Sequence, residues 1–404
     1  MKFPKVKLKD IAAETKYPIG DGDHGAIKPA MYQEKGVPYI RVGDMDWNGN
    51  ILFEKMVYIS DEINRANPKS HLYPGDILIS KTGATIGKVV IIPDTIPISN
   101  TTASVGKVSL NHKKAHSSYV FWSMKSHDFQ EQMWRVSHKS AQPGFNVRDL
   151  KEFNIPLPPL KTQKQIASIL DNAAALLDKT EQLLKEYDLL AQSIFLDMFG
   201  DPVVNPRGWK VSKLDNLTNL ITDGKHGNCN DEENSGYYFI SAKDIRNNKI
   251  NFSSTRQIPK SEFEEVNRRT NLQPGDLVMI NTGATIGRMA IAEDIPETRR
   301  MTFQKSVAVI KTKKDVLIPL YLQYVFELRL ETFATKGSGS AIKNLLLSEM
   351  KRFKIIIPPI NLQTQFAKKI ALIEQQKVLA KQELQEAENL FNCLLQKAFK
   401  GELV

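Results

Sequence analysis

Two stretches of the 404-residue chain carry apolar residues at alternating steps of three and four. In the first these are Ile166, Ile169, Leu170, Ala173, Leu176, Leu177, Leu183, Leu184, Tyr187, Leu190, Ala191, Ile194, Phe195 and Met198. In the second they are Phe366, Ile370, Ile373, Ala380, Leu384, Ala387, Phe391, Leu394 and Ala398. Neither stretch contains proline or glycine, so each predicts one long helix. Forty helical residues extend about 60 Å, more than one small globule can cover. The pattern therefore predicts that the two helices pack on each other, antiparallel. The expected seam is Ile166, Ile169, Leu176, Leu183, Tyr187, Leu190 and Ile194 against Phe366, Ile370, Ile373, Leu384, Phe391 and Leu394. The first stripe is wider than a two-stranded seam needs. The surplus face either packs on the chain's own domains or docks a partner protein, and the partner is favoured.

Elsewhere the pattern is short and β-like, with turn signals between runs. DILIS (76–80) and KVVII (88–92) are apolar and β-branched. Pro74-Gly75 suits the middle of a type II turn. Helical stretches are expected around Tyr119–Met124 and Tyr321–Glu327. IPLPPL and IIIPPI then break the chain before each long helix, because proline disfavours helix in the residue preceding it.

The whole plan is written twice. YPGDILISKTGATIGKVVII (73–92) matches QPGDLVMINTGATIGRMAIA (273–292) at an offset of about 200. DGDHG (21–25) matches DGKHG (223–227), PYIRVGDM (38–45) matches YFISAKDI (238–245), and LKEFNIPLPPLKTQKQI (150–166) matches MKRFKIIIPPINLQTQF (350–366). Matching segments recurring in one order imply two homologous halves. The expected division is residues 1–157 and 201–357 as mixed domains, with 158–200 and 358–404 as the helices.

The net charge is +10, yet the two helical stretches are close to neutral, so the basic excess lies in the domains. Such a surface suits a polyanion. The two cysteines are far apart and form no disulfide framework, which points to a reducing cytoplasm. No signal peptide or membrane span is read from the sequence.

TGATIG fails as a phosphate loop, since three residues separate Gly83 from Gly87 and no Gly-Lys-Ser/Thr follows. A tight turn is expected, with a rim of Lys81, Thr82 and Lys88 in one copy and Asn281, Thr282 and Arg288 in the other. Such groups suit DNA phosphates. Asp23, His24, Lys225 and His226 flank glycines in the second matched loop and lack the further ligands a metal needs. Arg41, Ser241 and Lys243 are further candidate DNA contacts. So are Lys139, Ser140 and Gln142, with Lys336, Ser338 and Ser340, in the loops preceding the proline breaks. Asn146 and Ser348 are candidate helix caps. No nucleophile elbow, paired acidic cluster, G-x-G-x-x-G or amino-methyltransferase tetrapeptide is present, which leans away from an enzyme.

Together these features resemble the specificity subunit of Type I restriction–modification systems. The match rests on the paired PGD…TGATIG segments, the proline breaks followed by Gln163/Gln165 and Gln363/Gln365, and the closing SIFLDMFGD and LLQKAFKGEL. WKVSKLDNL (209–217) is similar to the start of a target recognition domain; FPKVKLKDI, without tryptophan, stands in its place in the first half. The resemblance implies an α+β fold, with two target recognition domains joined by an antiparallel coiled coil and related by a pseudo-two-fold. It implies that each domain reads one part of a split site in double-stranded DNA. Two methyltransferase subunits and, in some systems, two restriction subunits would supply the chemistry, with S-adenosylmethionine, ATP and Mg on those partners and no cofactor in this chain. A self-sufficient nuclease or methyltransferase, and a coiled-coil scaffold without DNA, remain as other readings.

Overall fold

The computed structural model of the chain describes residues 3–138, 143–336 and 344–404, with residues 330–336 as backbone only. Two compact units form: Met1–Gln182 with Lys381–Val404, and Leu183–Ala380.

In the first unit a four-stranded antiparallel sheet runs in the order Ile19–Asp21, Val105–Val108, Ile77–Ser80, Val89–Ile91. A smaller sheet places Val37–Ile40 between Val57–Ile59, antiparallel, and Asn100–Thr101, parallel. The Ile77–Ser80 strand is buried on both faces. That explains its unbroken apolar run: Ile77 and Ile79 join the core beneath the helices, and Leu78 joins a second core. The second unit repeats this plan in Thr218–Asp223, Val307–Thr312, Leu277–Ile280 and Met289–Ile291, with Tyr238–Ile240 between Arg256–Gln257 and Met301–Phe303.

The Pro74-Gly75 turn has Gly75 at φ +84° and closes from the Asp76 N–H to the Tyr73 carbonyl at 3.0 Å. Lys5–Lys7 pairs with Asn154–Pro156, as Lys210–Lys213 pairs with Lys354–Ile357. The unmatched tryptophan has a local reason: the Trp209 indole donates to the Phe199 carbonyl at 2.8 Å, where the preceding helix ends. Asn146 caps Val147–Glu152, accepting from the Arg148 and Asp149 amides. Ser348 does not cap. Its helix begins at Leu347, and Glu349 bonds the Leu346 amide instead.

The long helices span Leu160–Phe199 and Ile360–Lys400. Each follows a Pro-Pro pair and stops at a glycine with φ +75°, Gly200 and Gly401, as left-handed C-terminal caps require. Gln163 and Gln363 are fully buried. The Gln163 side chain accepts from the His116 amide at 2.9 Å and donates to the Lys114 and Pro158 carbonyls. The Gln363 side chain treats Ile318, Val316 and Pro358 in the same way. Each glutamine thus stitches a helix start to its domain.

In the second unit the Phe195 ring lies 5.5 Å from Phe366, and Lys377 pairs with Asp188 at 2.7 Å. One helix segment advances as the other retreats, so the pair is antiparallel. In the first unit the helix Ser117–Lys125 runs along the first long helix, His116 meeting Gln163 and Trp122 meeting Asp171, and against the second, Tyr119 meeting Phe399 and Trp122 meeting Phe391. That order is antiparallel again.

The seam differs from expectation in register. Ile166, Phe366, Ile370 and Ile373 are buried, and Ile169, Tyr187, Ile194, Leu384, Phe391 and Leu394 are partly buried. Leu176, Leu183 and Leu190 are exposed, at 50%, 36% and 46%. The neighbours Leu177, Leu184 and Ala191 turn inward instead. Adjacent apolar residues lie about 100° apart on a helix, so only one of each pair can face the partner helix.

Candidate nucleic-acid interface

Each matched loop is a tight turn with a polar edge. In DGDHG, Gly22 presses on the neighbouring strand: a Cβ there would lie 2.0 Å from the Thr101 carbonyl oxygen. At Gly224 it would lie 1.9 Å from that of Phe303. The glycines are thus dictated by backbone contact.

Asp23 is buried, and its carboxylate accepts from the Gly25, Ala26 and Ile27 amides. This corrects its reading as a DNA contact, because its acceptor capacity is used inside the turn. The Lys225 ammonium reaches Glu262 and Glu265, both at 3.3 Å. His24 and His226 are exposed and sit against Asp21 and Asp223.

The TGATIG turns hold Gly83 and Gly87 at φ +69° and +94°, and Gly283 and Gly287 at +94° and +89°. The residue before each turn is not on its rim. Lys81 is 4% exposed and pairs with Asp21 at 2.5 Å; Asn281 is 4% exposed. Both are corrected to scaffold: their backbones bridge the turn to the segment preceding the proline break. The Lys81 carbonyl accepts from the Phe145 amide at 3.2 Å, and the Asn281 carbonyl from Leu345 at 2.7 Å. Thr82 pairs with Gly144, and Thr282 with Asn344. The structure thus joins two loops that the sequence presents separately. Lys139, Ser140, Gln142, Ser338 and Ser340 lie outside the described residues, and Lys336 is described as helix backbone only.

Arg41 and Ser241 also turn inward. The Arg41 guanidinium grips Asp44 through Nε and Nη2, at 3.0 and 2.8 Å, and caps the Lys55 carbonyl. That hydrogen-bonded carboxylate raises the arginine pKa above its ordinary value. Ser241 Oγ donates to Asp244 at 2.7 Å. Arg41 and Ser241 therefore close equivalent turns by different chemistry. Lys243, Thr82 and Arg288 remain exposed, with Lys88 and Thr282 partly so.

One element escaped the sequence reading. A hairpin stands beside each TGATIG turn, closed by Met45 with Ile51 in the first unit and Ile245 with Ile250 in the second. The Lys88 ammonium donates to the Met45 carbonyl at 2.8 Å and lies 5.8 Å from the Trp47 ring. Arg288 lines an open recess of about 500 Å³ with Arg246, Asn247, Asn248 and Glu327. The signal was present: the repeat offset drops by one between Asp44/Asp244 and Ile51/Ile250. Among the described residues, no group of three or more His, Cys, Asp or Glu is placed to hold a metal. No helix among them is long and apolar enough to cross a membrane.

Known proteins share this architecture. Over its full length the chain superposes on a subunit solved in a study titled "Structural basis underlying complex assembly and conformational transition of the type I R-M system", with TM-score 0.60 and 18% identity, covering 100% of both chains. A Type I restriction-modification S subunit from M. genitalium gives TM-score 0.52 at 16% identity, over 99% of this chain and 96% of that one. Among curated relatives, the EcoBI specificity subunit of Escherichia coli is 26% identical over 290 residues, 63% of this chain and 60% of the relative's length. A putative MjaX specificity subunit of Methanocaldococcus jannaschii is 21% identical over 91% of this chain and 87% of its own. The family model described as "Type I restriction modification DNA specificity domain" matches twice, over residues 2–186 and 206–389. The chain belongs to that family, and the two matches are the two halves that its sequence repeats.

Proposed function

We propose that this chain is the DNA-reading, non-catalytic subunit of a Type I restriction–modification complex. Residues 1–157 and 201–357 each read one half of a bipartite site, and the helices set the unread spacer between the halves. The observation that carries this is two DNA specificity domains in one chain, built on one frame and differing at their edges. A frame repeated with altered polar edges suits two different half-sites. Thr82, Lys88, Thr282, Arg288, Lys243, His24 and His226 remain candidate DNA contacts.

Methylation of adenine falls to two methyltransferase subunits in this reading, and ATP-dependent cleavage to two restriction subunits in systems that carry them. Leu176, Leu183 and Leu190 on the first helix, and Leu372, Leu379 and Leu390 on the second, are exposed and supply apolar surface for such partners. Modified-base sequencing of host DNA, with and without the gene, tests the proposal. Loss of methylation at one split motif supports it. Modification or cutting by the purified chain alone supports the self-sufficient enzyme. Salt-independent behaviour and no binding to duplex DNA, even with partners present, support the scaffold.

A further inference from the structure

The two hairpins beside the TGATIG turns are held by hydrogen bonds, and their tips carry different chemistry. In the first unit the tip is Asp46-Trp47-Asn48-Gly49-Asn50. The Asp46 carboxylate accepts from the Gly49 and Asn50 amides at 2.8 and 2.7 Å. Lys125 reaches over from its helix and donates to the Trp47 and Asn48 carbonyls, at 3.1 and 2.6 Å. In the second unit the tip is Arg246-Asn247-Asn248-Lys249, one residue shorter. Asn247 and Asn248 adopt φ +51° and +58°, the left-handed pair of a tight hairpin turn. The Asn248 side-chain amide donates to Glu327 at 3.0 Å. Lys125 and Glu327 hold equivalent places, six residues after Tyr119 and Tyr321, whose hydroxyls bond the carbonyls of Pro156 and Ile356. An ammonium staples one tip and a carboxylate the other.

A stapled tip presents its outward side chains without further ordering cost. In the first unit the Trp47 indole, 57% exposed, adds an apolar face beside the exposed Asn48 side chain. In the second unit the outward side chains are all polar. Arg246 uses only Nε internally, toward the Lys243 carbonyl at 3.1 Å. Its terminal nitrogens and the Asn247 amide have no hydrogen-bond partner among the described residues. Each tip also stands beside a cation that directly follows its TGATIG turn, Lys88 or Arg288. A cation that engages phosphate there sets the adjacent tip against base edges.

We infer that the two hairpin tips are the base-contacting elements that make the half-sites different. This rests on the DNA-reading proposal above and deepens it. The Trp47 tip makes an apolar contact, as to a thymine methyl or an opened base step. The Arg246–Asn247 tip makes hydrogen bonds, with the guanidinium matched to guanine and the amide to adenine.

The test uses the chain assembled with its methyltransferase subunits and selection of bound duplexes from a random library. Trp47→Ala should relax preference about 10-fold or more within one half-site and leave the other intact. Arg246→Ala with Asn247→Ala should relax the other half-site alone. Trp47→Phe should restore part of the first preference. All these side chains are exposed, so unchanged thermal melting serves as the folding control. If both variants keep the wild-type preference in both halves, the inference is overturned. It is also overturned if Trp47→Ala loses the methyltransferase subunit with preference unchanged, since the tip would then be a protein contact. A wild-type complex with no sequence preference overturns the DNA-reading proposal itself, and the inference with it.

Discussion

Asp23 and Lys225 stand at the same point of the same turn, and each forms a bridge to the strand beside it. In the first unit the aspartate holds three backbone amides of its own loop. In the second the lysine is held by two glutamates of the helix Lys260–Thr270. One turn, two fastenings: in each unit the charge at this point is taken up by neighbouring groups of the scaffold. Arg41 and Ser241 tell the same story over Asp44 and Asp244. Trp47 and Asn247 do not, because they face solvent. Divergence between the units is thus of two kinds, and burial separates them.

The helix junctions contrast in the same way. In the second unit Phe195, Phe199, Tyr321, Tyr324 and Phe366 form an aromatic box. In the first, Ile166 and Leu395 stand where Phe366 and Phe195 would be, and Trp122 replaces Tyr324.

The largest test of the shared frame is at Gly22 and Gly224. Alanine at either should cost on the order of 4 kcal/mol, because its Cβ would overlap a carbonyl. Denaturant unfolding should show the loss, and hydrogen exchange should place it in the unit that carries the substitution. A loss under about 1 kcal/mol would mean that the backbone contact yields easily.

Next in size is the junction. Phe195→Ala should cost about 3–5 kcal/mol, as for a buried aromatic. Leu395→Ala, at a half-buried position, should cost less, about 2 kcal/mol. Equal losses in urea unfolding would erase the contrast between the junctions.

The smallest effect is electrostatic. The Cys229 thiol, the Asn230 amide and Lys225 hold the Glu262 carboxyl down at about 2, from an ordinary 4.5. A lowered folded-state value stabilises above the unfolded value, and that contribution fades as pH falls from 4.5 toward 2. Glu262→Gln should flatten the fall of stability across that window; an unchanged slope would remove Glu262 from the account. Burial, then Glu262, push the Cys229 thiol up to about 12. A thiol reagent at neutral pH should therefore label exposed Cys393 first.

The repeat made much of this legible. TGATIG reads as a turn because glycine supplies positive φ at Gly83 and Gly87. The long helices read correctly because nothing interrupts them. The seam register did not, because Leu176-Leu177 and Leu183-Leu184 offer two equally apolar stripes and only packing chooses. Lys81, Asn281 and Asp23 were misplaced for a related reason: a polar residue that closes a loop looks in sequence like one that reaches out of it. Gln163 and Gln363 were visible as a repeated pair, yet their stitching needs carbonyls 5 and 49 residues away in one copy, and 5 and 47 in the other. The hairpin tips are not legible because the repeat fails there, so no second copy marks them.

The first unit draws on residues 381–404, which a ribosome makes only after every residue of the second unit. Domains fold as units while synthesis proceeds. The second unit therefore has its full complement of residues first. The earlier-made domain waits for Phe391, Leu394, Leu395, Ala398 and Phe399 to cover its helix-facing core. A chain released before residue 381 would hold one finished unit and one with its apolar face still open.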